Sequence, residues 1–242
     1  MSPSLEAVTF DFWNTLVVDG GGTARDDRLD AWIGILEDAG FATERSVLDK
    51  AMASSWDRFV TAWQSGEQYT RVEAAVDIVE ALGYTLPAGV HEALVSSFTY
   101  STSNYPALTD GIADCLRVLK GAGLRLGIIC DVGMTPSSVL RDILEHFGVL
   151  GFFDHWSFSD EVGYYKPSAL IFEHALSGLG VSAAARAAHV GDLRRTDVAG
   201  ALGMGMTAVR YTGAFDDSAY DGVDTPLVVS SHLDLPAVLG IA

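Results

Sequence analysis

The sequence is poor in cysteine, with only Cys115 and Cys130 among 242 residues. Because there are only two and no short metal-ligand spacing separates them, neither a disulfide framework nor a zinc site is expected. The N-terminus lacks a basic segment followed by an apolar one, and no run approaches the roughly 18 apolar residues of a membrane span. We therefore expect a soluble, cytoplasmic protein of a reducing compartment with no membrane partner.

Basic residues are also scarce: 15 Lys and Arg face 32 Asp and Glu, which gives a formal net charge of −17. Such a chain repels phosphate backbones and anionic lipid surfaces, so nucleic acid is an unlikely partner. A small anionic substrate would need a local positive patch or a metal ion. The hydrophobic fraction of 49% is ordinary for a globular protein, and the length permits one large domain or two smaller ones.

The first ordered segment combines an apolar strand with a carboxylate. Residues 7–10 form a short, partly β-branched run that leads into Asp11, and a glycine-rich stretch follows at 19–23. Four segments with helical periodicity come next, without a strand between them, which predicts a bundle. The predicted helices run from Arg28 to Gly40, from Thr43 to Ser65, from Val72 to Leu82 and from Pro87 to Phe98.

After residue 105 the pattern changes to alternating strands and helices. Further strands are predicted near 124–130, 156–159, 189–191, 207–211 and 227–230. Alternation at this spacing is typical of parallel βαβ units. The predicted fold class is therefore α/β, a Rossmann-like parallel sheet flanked by helices, formed by residues 1–19 and 103–242. Residues 20–102 form a four-helix domain inserted into it.

Four polar motifs follow predicted strands, where ligands bind in open α/β sheets. They are Asp11 with Thr15 four positions later, Cys130-Asp131, Lys166-Pro167, and Gly191-Asp192 with Asp197. In order and spacing, this set resembles the haloacid dehalogenase (HAD) superfamily, specifically the HAD-like hydrolases that carry a helical cap. The resemblance covers essentially the whole chain, and the inserted helices stand where that cap would be.

This resemblance implies a Mg²⁺-dependent phosphatase in which Asp11 attacks phosphorus and becomes an aspartyl-phosphate. Two adjacent carboxylates, Asp11 and Asp192, would repel each other unless a cation lies between them, and Mg²⁺ suits such oxygen ligands. The resemblance adds the backbone carbonyl of Trp13 as a third ligand. Asp197 would orient the loop or a metal-bound water, and Lys166 would neutralise Asp11 and the phosphoryl oxygens.

The remaining candidates surround these residues. Thr15 and Asp131 are catalytic candidates, and the substrate-binding candidates are Cys130, Asp131, Lys166, Trp13, Asn14 and Arg194. Gly20–Gly22 would serve as the hinge of the cap. The cap's own cationic candidates are Arg25, Arg28, Arg58 and Arg71, and its aromatic ones are Trp32, Trp56, Trp63 and Tyr69, most of which we expect in the bundle core.

Two departures from the family pattern bear on activity. Family phosphatases carry an acid–base aspartate where this chain has Trp13, whose indole cannot shuttle a proton. Cys130-Asp131 replaces a hydroxyl residue followed by Asn, and Asn14 replaces a glycine. Alkyl phosphates should therefore react slowly, and acyl or activated aryl phosphates should be less affected.

Three alternatives remain open. In the first, Asp131 serves as a displaced acid–base residue. In the second, the chain is a catalytically impaired HAD-fold binding or scaffold protein. In the third, it is a metal-independent 2-haloacid dehalogenase, a class in which an aromatic residue also follows the nucleophile by two positions.

Overall fold

The structure is a computed structural model that describes residues 5–19, 23–100 and 104–241. The proposed hinge at Gly20–Gly22 and the predicted boundary near 102–103 lie outside these ranges. By contacts between Cα atoms the chain divides into two units, one of residues 1–19, 106–131 and 141–242, the other of residues 20–105 and 132–140. We call the first the sheet unit and the second the helical unit.

The sheet unit contains a six-stranded parallel sheet, as the sequence predicts. Its strands are β1 (Ala7–Phe10), β4 (Arg125–Cys130), β5 (His155–Phe158), β6 (Ala187–Gly191), β7 (Thr207–Tyr211) and β8 (Val228–Val229), in the spatial order β5-β4-β1-β6-β7-β8. All four residues of β1 are buried. Central strands of a parallel sheet are covered on both faces, which is why their sequences are almost continuously apolar.

Helices flank this sheet and complete the α/β architecture. They are α5 (Ile112–Gly121), α7 (Ser159–Val162), α8 (Ala169–Gly178), α9 (Ala199–Gly203) and α10 (Leu235–Val238), together with the later part of α6 (Ser137–His146), whose residues up to 140 belong to the helical unit. Apolar residues of α8 and α9 pack with β1, β4, β6 and β7 into one buried cluster. The sequence analysis missed a small antiparallel pair, β2 (Val17–Val18) with β3 (Ala107–Leu108), because each strand has only two residues.

The helical unit contains four helices close to the predicted ones. They are α1 (Thr23–Asp38), α2 (Arg45–Ser65), α3 (Arg71–Ala81) and α4 (Ala88–Ser96). Trp32 and Phe98 are buried in its core with their ring centroids 5.7 Å apart, and Tyr69 is also buried. Trp56 differs from the expectation, because half of its surface is exposed. No helix in the described ranges combines the length and apolar character needed to cross a bilayer.

Candidate active site

The carboxyl ends of three adjacent strands bring the sequence motifs together. In the sheet β1 lies between β4 and β6, with Phe10 aligned with Ile128 on one side and Val190 on the other. Asp11, Asp131 and Asp192 therefore leave the sheet at the same edge. Asp11 and Asp192 are buried, and Asp131 is partly buried.

Lys166 connects two of the acidic residues in the buried interior of this site. Its ammonium donates to Asp11 Oδ1 at 2.5 Å and to Asp197 Oδ1 at 2.6 Å, and only 2% of the residue is exposed. Its backbone N–H donates to Asp131 Oδ1 at 2.8 Å. Asp131 thus holds the Lys166 backbone in place, a contact that the sequence did not suggest.

Asp197 is fixed more extensively than the other carboxylates. Besides Lys166, its Oδ1 contacts His189 Nε2 at 3.0 Å, and its Oδ2 accepts from the Leu193 N–H at 3.0 Å. A Cβ on Gly191 would come within 2.3 Å of Asp197 Cγ, so any side chain at this position would displace Asp197. These contacts support the predicted role of Asp197 in orienting the loop after β6.

His189 is the site residue that the sequence analysis missed. It is buried within β6, where Nδ1 lies 2.9 Å from Thr9 Oγ1 and Nε2 contacts Asp197. Burial lowers its pKa below the usual range, and the Asp197 carboxylate opposes that shift. The Thr9–His189 contact depends on the β1–β6 register across 180 positions, for which the sequence carries no local signal.

Electrostatics at the site favour a bound cation. Burial raises the pKa of Asp11 to about 7, with Asp197 adding to the rise and Lys166 opposing it. Burial, reinforced by Asp11 and Asp197, raises the pKa of Asp192 to about 8. Asp197 behaves differently: although burial alone would raise its pKa, Lys166 and His189 hold it well below the usual range.

The same three carboxylates have the composition of a magnesium site. Asp11, Asp192 and Asp197 each offer an oxygen within 4.8 Å of the others, opposite the single ammonium of Lys166. When all three are ionised, the cluster carries two more negative than positive charges. Hard oxygen donors with uncompensated charge fit Mg²⁺.

The residues after Asp11 form a tight turn. Asn14 has φ of 57°, in the left-handed region that Asn tolerates better than other non-glycine residues. Its side-chain amide donates to Asp192 Oδ2 at 3.1 Å and so helps to position that carboxylate. The Trp13 ring packs edge-on against Phe12, with 5.2 Å between centroids. Its carbonyl as a metal ligand stays a prediction.

Three candidates have surroundings that the sequence did not indicate. Cys130 is completely buried, and burial raises the pKa of its thiol well above the usual range, so it is a weak donor. The Thr15 hydroxyl makes no hydrogen bond within the described residues, whereas its carbonyl accepts from Thr109 Oγ1 and His232 Nε2. Thr15 therefore anchors the turn through its backbone.

Arg194 is the third of these, and the structure does not bring its guanidinium to the carboxylate cluster. The guanidinium donates to the carbonyls of Tyr220 and Gly222, and its Nε lies 3.4 Å from Asp224 Oδ2. Its backbone N–H donates to Asp217 Oδ2. Arg194 thus fastens the 217–224 segment to the loop after β6, and the anion-binding role expected from the sequence has no support in these contacts.

Comparison with known families agrees with this geometry. Residues 5–205 match the family of haloacid dehalogenase-like hydrolases, and the chain belongs to that family. The glyceraldehyde 3-phosphate phosphatase of Methanothermobacter thermautotrophicus is 30% identical over 91% of each chain. The pyrimidine 5′-nucleotidase YjjG of Escherichia coli is 28% identical over 63% of this chain and 64% of its own length.

Solved structures show the same fold. A 2-haloacid dehalogenase from Pseudomonas syringae superimposes with a TM-score of 0.67 at 21% identity, covering 98% of each chain. The HAD-hydrolase YfnB from Bacillus subtilis, solved bound to magnesium, gives a TM-score of 0.65 at 17% identity and covers 99% of this chain and all of that one. At such identities the likeness establishes the architecture alone.

Proposed function

We propose that the protein is a Mg²⁺-dependent phosphatase of small phosphorylated molecules, with Asp11 as nucleophile. The observation that carries this proposal is the buried cluster of Asp11, Asp192 and Asp197 around Lys166. The similarity over nearly the whole chain to a phosphatase of a phosphorylated metabolite supports the substrate class. The helical unit would act as the cap that contacts the substrate.

In the first step an Asp11 carboxylate oxygen forms a bond to phosphorus while the bond to the leaving-group oxygen breaks. In the second step water attacks the aspartyl-phosphate, releasing inorganic phosphate and restoring the carboxylate. Lys166 lies 2.5 Å from Asp11, where it favours the ionised carboxylate that attacks and places a positive charge beside the phosphoryl oxygens. Mg²⁺ held by Asp11 and Asp192 would supply further positive charge when bound.

Trp13 determines which leaving groups react. Its indole cannot donate a catalytic proton, and general acid catalysis typically contributes about 10²- to 10⁴-fold. Leaving groups that depart as stable anions need no such help. We therefore expect acyl phosphates and activated aryl phosphates to be better substrates than alkyl phosphates.

The proposal is tested by a hydrolysis screen with and without Mg²⁺, using acetyl phosphate, 4-nitrophenyl phosphate and glycerol phosphate. Asp11→Asn should abolish turnover, whereas Asp142→Asn, on the exposed face of α6, should leave it unchanged. Activity that survives Asp11→Asn contradicts the nucleophile assignment. Inactivity on every substrate supports the scaffold alternative, and metal-independent halide release from 2-chloropropionate supports the dehalogenase alternative.

A second variant isolates the effect of Trp13. Trp13→Asp restores a titratable group at this position and should accelerate glycerol phosphate hydrolysis far more than acetyl phosphate hydrolysis. An equal effect on both substrates would show that proton donation at this position does not limit the reaction. Asp131→Asn tests the displaced acid–base alternative, because an unchanged pH–rate profile would remove Asp131 from proton transfer.

A further inference from the structure

A cavity of about 380 Å³ lies within the helical unit, and its lining contains none of the residues of the carboxylate site. Its size is at the lower end of the range typical of small-molecule sites, about 300–1,000 Å³. Most of its walls are apolar, and two arginines and one aspartate supply the charge. The lining residues are Arg25, Arg28, Met52, Ala53, Trp56, Asp57, Ile78, Phe98 and Met134.

Arg28 is the unusual member of this lining. Its guanidinium carbon lies 5.3 Å from the centroid of the Phe98 ring, and its Nε is enclosed without a hydrogen-bond partner. Burial lowers the pKa of the guanidinium below its usual range, partly offset by the Tyr100 phenol. No carboxylate within the described residues forms an ion pair with it. A buried polar atom that is left unsatisfied calls for an explanation.

Other arginines of the helical unit are neutralised by acidic side chains. Each of three is paired with at least one acid, and the pairs are Arg25 with Asp49, Arg45 with Asp26 and Asp30, and Arg58 with Asp77. Acidic residues outnumber basic ones more than twofold in this chain, so acidic partners are abundant. Arg28 and Arg71 have no acidic partner among the described residues, and of these two only Arg28 lines the cavity.

The neighbouring walls restrict what that anion is attached to. Trp56 belongs to α2, and half of its surface remains exposed although it lines the cavity. Together with Phe98 and Met52 it offers aromatic and thioether surface to an apolar group. Asp57 also lines the cavity, and its negative charge opposes a ligand that is negatively charged throughout. A ligand that carries one compact anionic group on an apolar body is complementary to all of these surfaces.

We infer that this cavity binds an organic anion whose charged group pairs with Arg28 and whose apolar or aromatic body packs against Trp56 and Phe98. Binding to the cavity itself does not depend on hydrolysis.

The binding test uses phenylacetate and its neutral analogue phenylacetamide, titrated into the protein without added Mg²⁺ and followed by calorimetry and tryptophan fluorescence. Phenylacetate should bind at least about tenfold more tightly than the amide, because a charge-assisted hydrogen bond contributes about 1.5–3 kcal/mol. Arg28→Met should remove that preference. Arg45→Gln, an exposed and doubly paired arginine of the same unit, should retain it.

The inference fails if phenylacetate and phenylacetamide bind equally, or if Arg28→Met retains the preference for phenylacetate. If the wild type hydrolyses none of the phosphates but binds phenylacetate through Arg28, the proposed function fails and the binding site stands.

Thermal unfolding distinguishes a binding role from a structural one. Because the enclosed guanidinium lacks an ion-pair partner, Arg28→Met should leave Tm unchanged or raise it. A marked fall in Tm would mean that Arg28 holds the helical unit together, and would overturn the inference.

Discussion

Replacing Lys166 with methionine removes the ammonium that contacts both Asp11 and Asp197 but preserves most of the side-chain volume. Both carboxylates are buried, so water cannot replace the lost partner without rearrangement. Breaking a buried ion pair by removing one member typically costs about 3–5 kcal/mol. We expect the free energy of unfolding of Lys166→Met to fall by about that amount at pH 8 in the absence of Mg²⁺.

The stability that Lys166→Met loses should depend on pH. A carboxyl group whose pKa is raised in the folded protein opposes folding increasingly as pH rises from its unfolded to its folded pKa. Asp11, with a pKa of about 7, is protonated at pH 5 in wild type and variant alike. At pH 8, one unit above that pKa, ionisation of Asp11 contributes about 1.4 kcal/mol in the wild type. Without Lys166 the pKa of Asp11 rises further, and the variant loses up to this whole contribution.

Asp197 responds in the opposite sense. Its pKa is depressed, so its stabilisation is present above the unfolded value of about 3.9 and is lost only as pH falls further. The Lys166–Asp197 contact therefore contributes at both pH 5 and pH 8. The deficit of Lys166→Met should accordingly be present at both values and exceed its pH 5 value by up to ~1.4 kcal/mol at pH 8.

Urea denaturation at pH 5 and pH 8 measures both deficits. Lys120→Met is the matched control, because Lys120 pairs with Asp154 near the surface and such pairs contribute about 0–1 kcal/mol. The explanation is refuted if Lys166→Met loses no more stability than this control, or if its deficit is the same at both pH values.

Three further predictions concern the carboxylate cluster. Because Asp11 and Asp192 must be ionised to bind a metal, Mg²⁺ affinity measured by calorimetry should fall on the order of 100-fold from pH 8 to pH 6, and a pH-independent affinity would exclude them as ligands. Asn14→Ala should lower the free energy of unfolding in urea by about 1–2 kcal/mol through left-handed strain, whereas Asn14→Gly relieves the strain and loses only the hydrogen bond to Asp192. Gly191→Ala should displace Asp197 and weaken Mg²⁺ binding in the same titration, and normal binding would contradict the close approach at Gly191.

Much of the fold follows from local sequence patterns. Apolar β-branched runs and helical periodicity predict the parallel strands and the four helices, because burial of one face or of both faces is encoded within each segment. The ends of β1, β4 and β6 are equally predictable, and the placement of Asp11, Asp131 and Asp192 at one sheet edge follows from them. The two-residue strands β2 and β3 are too short for such a pattern.

The identities of partners at the site are a property of the tertiary structure. His189 reaches Asp197 from within β6, Asp131 accepts from the Lys166 backbone, and Arg194 is bound by the 217–224 segment. Each contact joins side chains through strand register and loop packing, which no local periodicity encodes. The same holds for Arg28, since only the packed helices show that it is enclosed without an acid.

Strand β1 and the residues that follow it show most clearly which properties come from the sequence and which come from the tertiary structure. The sequence by itself determined that a buried strand ends at Asp11 and that Trp13 stands two positions later, since both follow from residue type and order. Only the tertiary structure decided the charge state of Asp11. Its pKa of about 7 arises from burial beside Asp197 and Lys166, and desolvation and Coulomb interactions depend on distances that form when the chain folds.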